Sequence, residues 1–249
     1  MHRFYLPPNQ SHGPTLVLTG AEAHHGLQVL RVRLGEQVLV LNGEGIEFHC
    51  QVQALTRDTI ALKVTEKRTL PPISHKITLL QSLPKGKIIE SIIQKATELG
   101  VFRLVPILSE RVVVKLDDQE AARKQAKWQA IAIEALKQSG SPWLPKVEAP
   151  ARPRDFLARN EKFDLPLIAS LEEGSHHARK WFSEFRNRER RSPESVCVWI
   201  GPEGDFSPEE TKMIRAAGCL PITLGPQVLR VETASIYCLS VINYELSAP

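Results

Sequence analysis

Apolar and polar positions alternate at two different periods along the chain. Over residues 1–68 the apolar runs are short: Thr15 to Leu18, Gln37 to Leu41, Ile46 to Leu55 and Thr59 to Val64. Short alternating runs separated by turns predict strands of a small β-barrel, each with one buried face. Asn42-Gly43-Glu44-Gly45 lies between two of these runs and predicts a hairpin, since glycine and asparagine tolerate positive φ. One short helix, from about Ala21 to Leu30, starts behind Thr19-Gly20 and ends in Arg31-Val32-Arg33. The stretch Arg68-Thr69-Leu70-Pro71-Pro72 breaks regular structure, because proline lacks an amide donor and restricts its predecessor. A domain boundary is expected there, between residues 1–72 and 73–249.

Beyond Pro72 the pattern changes to strands alternating with helices. Ile77 to Gln81 reads as an apolar strand, and Lys87 to Leu99 places Ile88, Ile89, Ile92, Ile93, Ala96 and Leu99 on one helical face. Val101 to Leu108 is strand again. Asp118 to Ser139 is a long helix stopped by Gly140 and Pro142. Leu165 to Ser170, Val196 to Ile200 and Pro221 to Leu224 are further strands; Pro208 to Ala217 and Glu232 to Leu246 are helices. This alternation predicts an α/β domain, a parallel sheet with helices on both faces.

Composition adds exclusions. At 249 residues, 42% hydrophobic and 24% charged, the chain falls in the range of globular proteins and outside collagenous, disordered and coiled-coil classes. No apolar run reaches the roughly eighteen residues of a membrane span, and Met1 to Gln10 does not read as a signal peptide, so a cytoplasmic protein with no membrane partner is expected. Cys50, Cys197, Cys219 and Cys238 form no CxxC pair, so buried reduced thiols are expected and no metal site. The net charge of +4 permits a polyanionic partner without requiring one.

Candidate chemistry concentrates in two segments of the same construction. VCVWI runs into Gly201-Pro202-Glu203-Gly204-Asp205, and ITL runs into Gly225-Pro226-Gln227-Val228-Leu229-Arg230. Ligands of parallel sheets bind beyond the carboxyl ends of strands, where glycine lets them approach the backbone. Two such loops are suited to clamp one cofactor; from spacing alone, each Gly-Pro reads equally well as a simple turn. Neither GxGxxG nor GxxxxGK followed by Ser or Thr occurs, which argues against dinucleotide and triphosphate sites. A nucleophile elbow is also missing. His24 and His25 read more readily as a surface pair than as ligands.

IGPEGDFS at 200–207 together with LGPQVLRVETA at 224–234 resembles the two cofactor-loop motifs of SPOUT methyltransferases, and within them the RsmE family of 16S ribosomal RNA (uracil-N3) methyltransferases. RFYL at 3–6, KIIESIIQKATELGV at 87–101, SERVVV at 109–114 and EALKQSG at 134–140 are similar to that family's pattern as well, so the resemblance covers nearly the whole chain. It implies a PUA-like RNA-recognition barrel over 1–72 and a knotted SPOUT-type domain over 73–249. It also implies S-adenosylmethionine as cofactor, an obligate homodimer, and 16S ribosomal RNA or the assembled small subunit as partner. The family commonly has a second glycine where this chain has Asp205 and an arginine where it has Gln227. A glutamate and an arginine are often found near Lys137 and Ser141.

The resemblance places the cofactor among Leu171, Ile200, Gly201, Pro202, Glu203, Gly204, Leu224, Gly225, Leu229, Thr233 and Ala234. It assigns catalysis to Arg230 and Glu232. Uracil N3 carries a proton that must leave before the lone pair attacks; Glu232 is suited to accept it, and Arg230 to stabilise charge spreading onto the uracil oxygens. On the residues alone, Glu232 is also an acid in the first turn of a helix, and Arg230 a salt-bridge partner for Glu232 or Glu203. Arg3, Arg31 and Arg33 are candidate phosphate contacts on the barrel. The basic and aromatic stretch from His176 to Arg191 reads first as an amphipathic helix with a solvated charged face, and second as an RNA contact. The last helix is apolar round much of its circumference, which a dimer partner or a large monomer core would cover.

Overall fold

The structure, a computed structural model, describes residues 1–112, 116–172 and 174–247. It forms two compact units: residues 1–72 with 133–144, and residues 73–132 with 145–249.

In the first unit β1 (His2–Tyr5), β2 (Thr15–Leu18), β3 (Gln37–Leu41), β4 (Ile46–Leu55) and β5 (Ile60–Thr69) form one sheet in the order β1-β3-β4-β5-β2. Alternation sends Phe4, Leu16, Leu18, Val38, Val40, Phe48, Ile60 and Leu62 into a common core. The expected hairpin joins β3 to β4: Asn42 Oδ1 accepts the Glu44 and Ile46 N–H groups, and Gly43 and Gly45 have φ of 77° and 81°. The short helix starts as α1 (Gly20–His24) and continues as a π-helical stretch over His25–Leu30, ending at Arg31 with φ 53°. Gly26 lets it approach the barrel closely, since a Cβ there would lie 2.5 Å from Ile60 Cδ1, and Ala23, Leu27 and Leu30 pack on the same core.

Strand β3 is apolar on both faces because both are covered. Val38 and Val40 enter the barrel core, while Leu39 and Leu41 pack with Leu136 and Leu144 from residues 133–144. Arg3 secures that segment, its Nη1 donating to the Lys137 and Gln138 carbonyls at 3.2 and 2.9 Å. Buried Lys137 pairs with Glu22 at 2.7 Å and Glu134 at 2.8 Å.

The second unit contains β6 (Lys76–Ser82), α2 (Ile88–Glu98), β7 (Arg103–Ile107), the start of α3 (Asp118–Ser139), β8 (Lys146–Val147) and α4 (Pro153–Ala158). There follow β9 (Leu165–Ala169), α5 (Ala178–Glu189), β10 (Ser195–Ile200), α6 (Pro208–Ala216), β11 (Leu220–Ile222) and α7 (Val231–Ser247). The six strands are parallel in the order β11-β9-β10-β6-β7-β8. Central β10 is buried from Val196 to Ile200, as a parallel strand covered on both faces should be. Its Cys197 and Trp199 pack with Phe156 of α4 and Ile214 of α6, while α7 meets the sheet through Ser235, whose Oγ donates to Gln81 Oε1 at 2.5 Å. All four cysteines are buried free thiols. Burial pushes Cys50 and Cys238 up to about 12, so they serve as packing groups.

Several elements depart from the sequence reading. Strand β1, with only Phe4 fully buried, carries too little pattern to be recognised; it is fixed by parallel pairing with β3. Arg68 and Thr69 do not break structure. They finish β5, paired to Glu47 and Ile46, and the break falls on Leu70-Pro71-Pro72. Strand β8 and helix α4, each shorter than a recognisable period, were not expected. Of SERVVV, residues 113 and 114 lie outside the described residues.

Candidate functional site

Strands β11, β9 and β10 are neighbours and parallel, with Ile168 opposite both Trp199 and Pro221 and Ala169 opposite Ile222. Their carboxyl ends therefore share one edge of the sheet, and the three loops leaving that edge begin side by side. They enclose a cavity of about 280 Å³, close to the lower limit for small-molecule sites. Leu171 comes from the loop after β9. Ile200, Gly201, Pro202, Glu203 and Gly204 come from β10 and its loop, and Leu224, Gly225, Leu229 and Ala234 from the loop after β11 and the start of α7. Ten of the expected cofactor residues thus line one cavity; Thr233, on an exposed position of α7, does not.

The loop over Gly201–Asp205 is held firmly. The Asp205 N–H donates to the Pro202 carbonyl at 2.9 Å, and Asp205 takes the left-handed conformation with φ 60°. Phe206 then inserts beside Trp199, their rings 6.1 Å apart edge to face. Ser207 opens α6 with a full capping box, its side chain accepting the Glu210 N–H while Glu210 accepts the Ser207 N–H. Neighbouring loops hold the other side: the Lys85 N–H donates to Glu203 Oε1 at 3.0 Å, and Arg111 Nη1 donates to the Gly204 carbonyl.

The loop after β11 is more open. Thr223 Oγ1 accepts the Gly225 N–H at 3.2 Å, and Gly225 has φ 111° with no atom within 4 Å of a Cβ built on it. Pro226, Gln227 and Val228 are exposed, Val228 to 78%. Arg230 is exposed between Leu229 and Val231, both of which line the cavity, while its own side chain does not. Glu232 lies in the first turn of α7 and also off the lining. Neither Arg230 nor Glu232 forms an ion pair among the described residues, so the salt-bridge alternative for Arg230 is not realised.

Ala169, Ser170 and Val231 also line the cavity without having been expected there, as do Asp205, Gln227 and Val228, which were noted in the two loops but not assigned to the cofactor. Their proximity to the loops was readable; whether each faces inward depends on strand ends that a sequence does not mark to the residue. The lining suits a particular ligand chemistry. Leu171, Ile200, Leu224, Leu229 and Ala234 offer apolar surface, while the charged groups among the described lining residues are the carboxylates of Glu203 and Asp205. A phosphate-rich cofactor has no cation to receive it there, whereas an apolar body bearing positive charge fits. Among the described residues, no group of three or more metal-ligating side chains occurs.

The basic candidates divide. Arg31 and Arg33 are exposed on the first unit, as is Arg3, whose guanidinium also caps the 133–144 segment. Helix α5 is amphipathic, with Phe182 and Phe185 buried and much of its charge already answered. Arg186 pairs with Glu245 at 3.1 Å, Arg191 with Asp164 at 2.7 Å, and Lys180 sits 4.7 Å from the Trp181 ring centroid.

Comparison with known proteins places this geometry. Residues 71–243 match the model of an RNA methyltransferase domain, and residues 18–65 that of an RNA methyltransferase PUA domain. The ribosomal RNA small subunit methyltransferase E of Bacillus subtilis is 33% identical over 98% of this chain and 97% of its own length. Its namesake from Aquifex aeolicus is 32% identical over 97% of this chain and 99% of its own. A methyltransferase from Legionella pneumophila, solved with bound S-adenosylmethionine, superposes with a TM-score of 0.87 at 33% identity, covering 97% of this chain and 96% of that one. The ribosomal RNA small subunit methyltransferase E of Neisseria gonorrhoeae, also solved with S-adenosylmethionine, gives 0.84 at 30% identity over 98% and 97% of the two chains. With a domain model spanning most of its length and relatives matched nearly from end to end, this chain belongs to the ribosomal RNA small subunit methyltransferase E family.

Proposed function

We propose that this protein transfers a methyl group from S-adenosylmethionine to N3 of a specific uridine in the 16S ribosomal RNA of the small subunit. The observation that carries the reading is the convergence of two Gly-Pro loops on one cavity that is apolar, anionic and free of basic side chains among its described lining residues. S-adenosylmethionine supplies an electrophilic methyl group on a cationic sulfur and an adenosine body, which match that lining.

The chain's own part is mainly positioning. In-line transfer needs the acceptor nitrogen within about 3–3.5 Å of the reacting carbon, and an oriented site supplies much of the barrier reduction. Backbone groups of Ile200, Gly201, Gly204, Leu224 and Leu229, with Leu171, hold the donor. Glu232 accepts the N3 proton of uracil, and Arg230 stabilises the negative charge that the departing proton leaves on the ring oxygens. Among the described residues neither side chain forms an ion pair, which leaves both charges available for these roles.

In the same reading residues 1–72, with 133–144 packed in the same unit, form the RNA-recognition domain, with Arg3, Arg31 and Arg33 on phosphates, and the rest of residues 73–249 forms the cytoplasmic enzyme's knotted transferase domain. Tyr237 and Tyr244, 47% and 76% exposed on α7, belong to the homodimer contact. Two experiments on the full chain test the function. Calorimetry should give saturable binding of S-adenosylmethionine. Nucleoside mapping of 16S ribosomal RNA treated with protein and donor should give 3-methyluridine at one position; a methylated ribose or an unmodified RNA would overturn the reading.

A further inference from the structure

The charge of the cavity is unbalanced, and the imbalance centres on one residue. Glu203 is largely answered: it is exposed to solvent, and its Oε1 takes the Lys85 N–H at 3.0 Å. Asp205 is only partly exposed, and one of its oxygens, Oδ1, takes a single backbone donor, the Phe206 N–H at 2.8 Å. The neighbouring cation, Arg111, turns its guanidinium to the Gly204 carbonyl, and Asp205 has no ion pair among the described residues.

The backbone around Asp205 is also arranged for this side chain at some expense. With φ 60°, an L-residue is held in the region that glycine occupies most easily. Gly201 in turn leaves room for the carboxylate, since a Cβ on Gly201 would lie 2.7 Å from Asp205 Oδ1. A carboxylate is thus admitted to the cavity, only partly exposed to water and with no ion pair among the described residues. Desolvated charge of this kind is stabilised when a ligand brings the opposite charge.

We infer that the Asp205 carboxylate holds a cationic group of the methyl donor, and so acts as the electrostatic anchor of the cofactor in this chain. The inference rests on the proposed function, because it takes S-adenosylmethionine as the occupant. The donor has two positive groups, a sulfonium and an α-ammonium. S-adenosylhomocysteine retains only the second, so the two ligands distinguish which group Asp205 meets.

The test is calorimetry of both ligands against the full-length protein, D205N and D205G. Asparagine keeps an oxygen for the Phe206 N–H and removes the charge; glycine removes the side chain and suits the left-handed backbone, so this variant is expected to fold. Both variants should bind S-adenosylmethionine about tenfold more weakly, the scale of one charge-assisted hydrogen bond. Unchanged S-adenosylhomocysteine affinity assigns the contact to the sulfonium, and an equal loss assigns it to the ammonium. Affinities for both ligands within twofold of the original in both variants (about 0.4 kcal/mol) would overturn the inference. Failure of the unaltered protein to bind S-adenosylmethionine would instead overturn the function on which it rests.

Discussion

Gly201–Asp205 and Gly225–Arg230 follow β10 and β11, the two strands that flank β9, with the same Gly-Pro opening, yet the protein fastens them differently. The first is pinned by Phe206 in the core, by the capping box of α6, and by Lys85 and Arg111 from adjacent loops. The second has the Thr223 hydroxyl at its start and the Arg230 carbonyl accepting the Ala234 N–H at its end, with Pro226 to Val228 exposed between them. The difference separates two duties of a transferase site. In the proposed function the preformed wall holds the donor, and the more open segment presents exposed Arg230 to the RNA base.

Substitutions can break this division, and the largest effect is expected in the wall. Gly201→Val places side-chain atoms where a Cβ already meets Asp205 Oδ1 at 2.7 Å and the Asp205 and Phe206 backbone at 3.2 and 3.3 Å. Calorimetry should show at least roughly a hundredfold weaker donor binding, with overpacking costing about 1–3 kcal/mol of stability. On the open segment, Arg230→Ala should lower kcat about a hundredfold while the donor Kd stays within about twofold, because its charge acts as the base loses its proton. Equal losses in kcat and donor affinity would place Arg230 in the wall after all.

A smaller effect follows from pH. Burial holds the Asp205 carboxyl above its ordinary value; Glu172 across the β9 loop pushes the same way, while the Phe206 N–H and Arg111 oppose it. Because the folded pKa is raised, the unfolded chain binds fewer protons in the window above the usual carboxylate value of about 4, and this group's contribution to ligand-free stability falls as pH rises. Donor binding should move oppositely, strengthening over that window as the carboxylate forms. Calorimetry as a function of pH checks the sign, and D205N should flatten the dependence. The mildest of these changes is Ser207→Ala, which removes one half of the capping box; about 1 kcal/mol of stability should be lost, read as a Tm lower by about 2–4 °C.

Much of this arrangement was legible because local chemistry and global fold agree. Strands β2, β3 and β4 and helix α3 fall on the residues their patterns predict, and Asn42-Gly43-Glu44-Gly45 makes the expected hairpin. The two loops were recognisable from glycine and proline at strand ends. Less visible was what depends on distant partners. Strand β1 exists through its pairing with β3, and nothing local announces that residues 133–144 pack in the first unit, where Leu136 and Leu144 cover the outer face of β3. Asp205 was visible only as a departure from the family's second glycine, for a related reason. Its sequence neighbours mark a turn, but its exceptional state comes from the space above Gly201 and from Arg111 bonding elsewhere.

The central claim is that both loops hold the same methyl donor. A crystal of the full chain grown with S-adenosylmethionine tests it most directly. The account predicts one donor molecule per chain touching backbone of both 200–204 and 224–229. A donor bound against one loop only, or elsewhere on the protein, would contradict it.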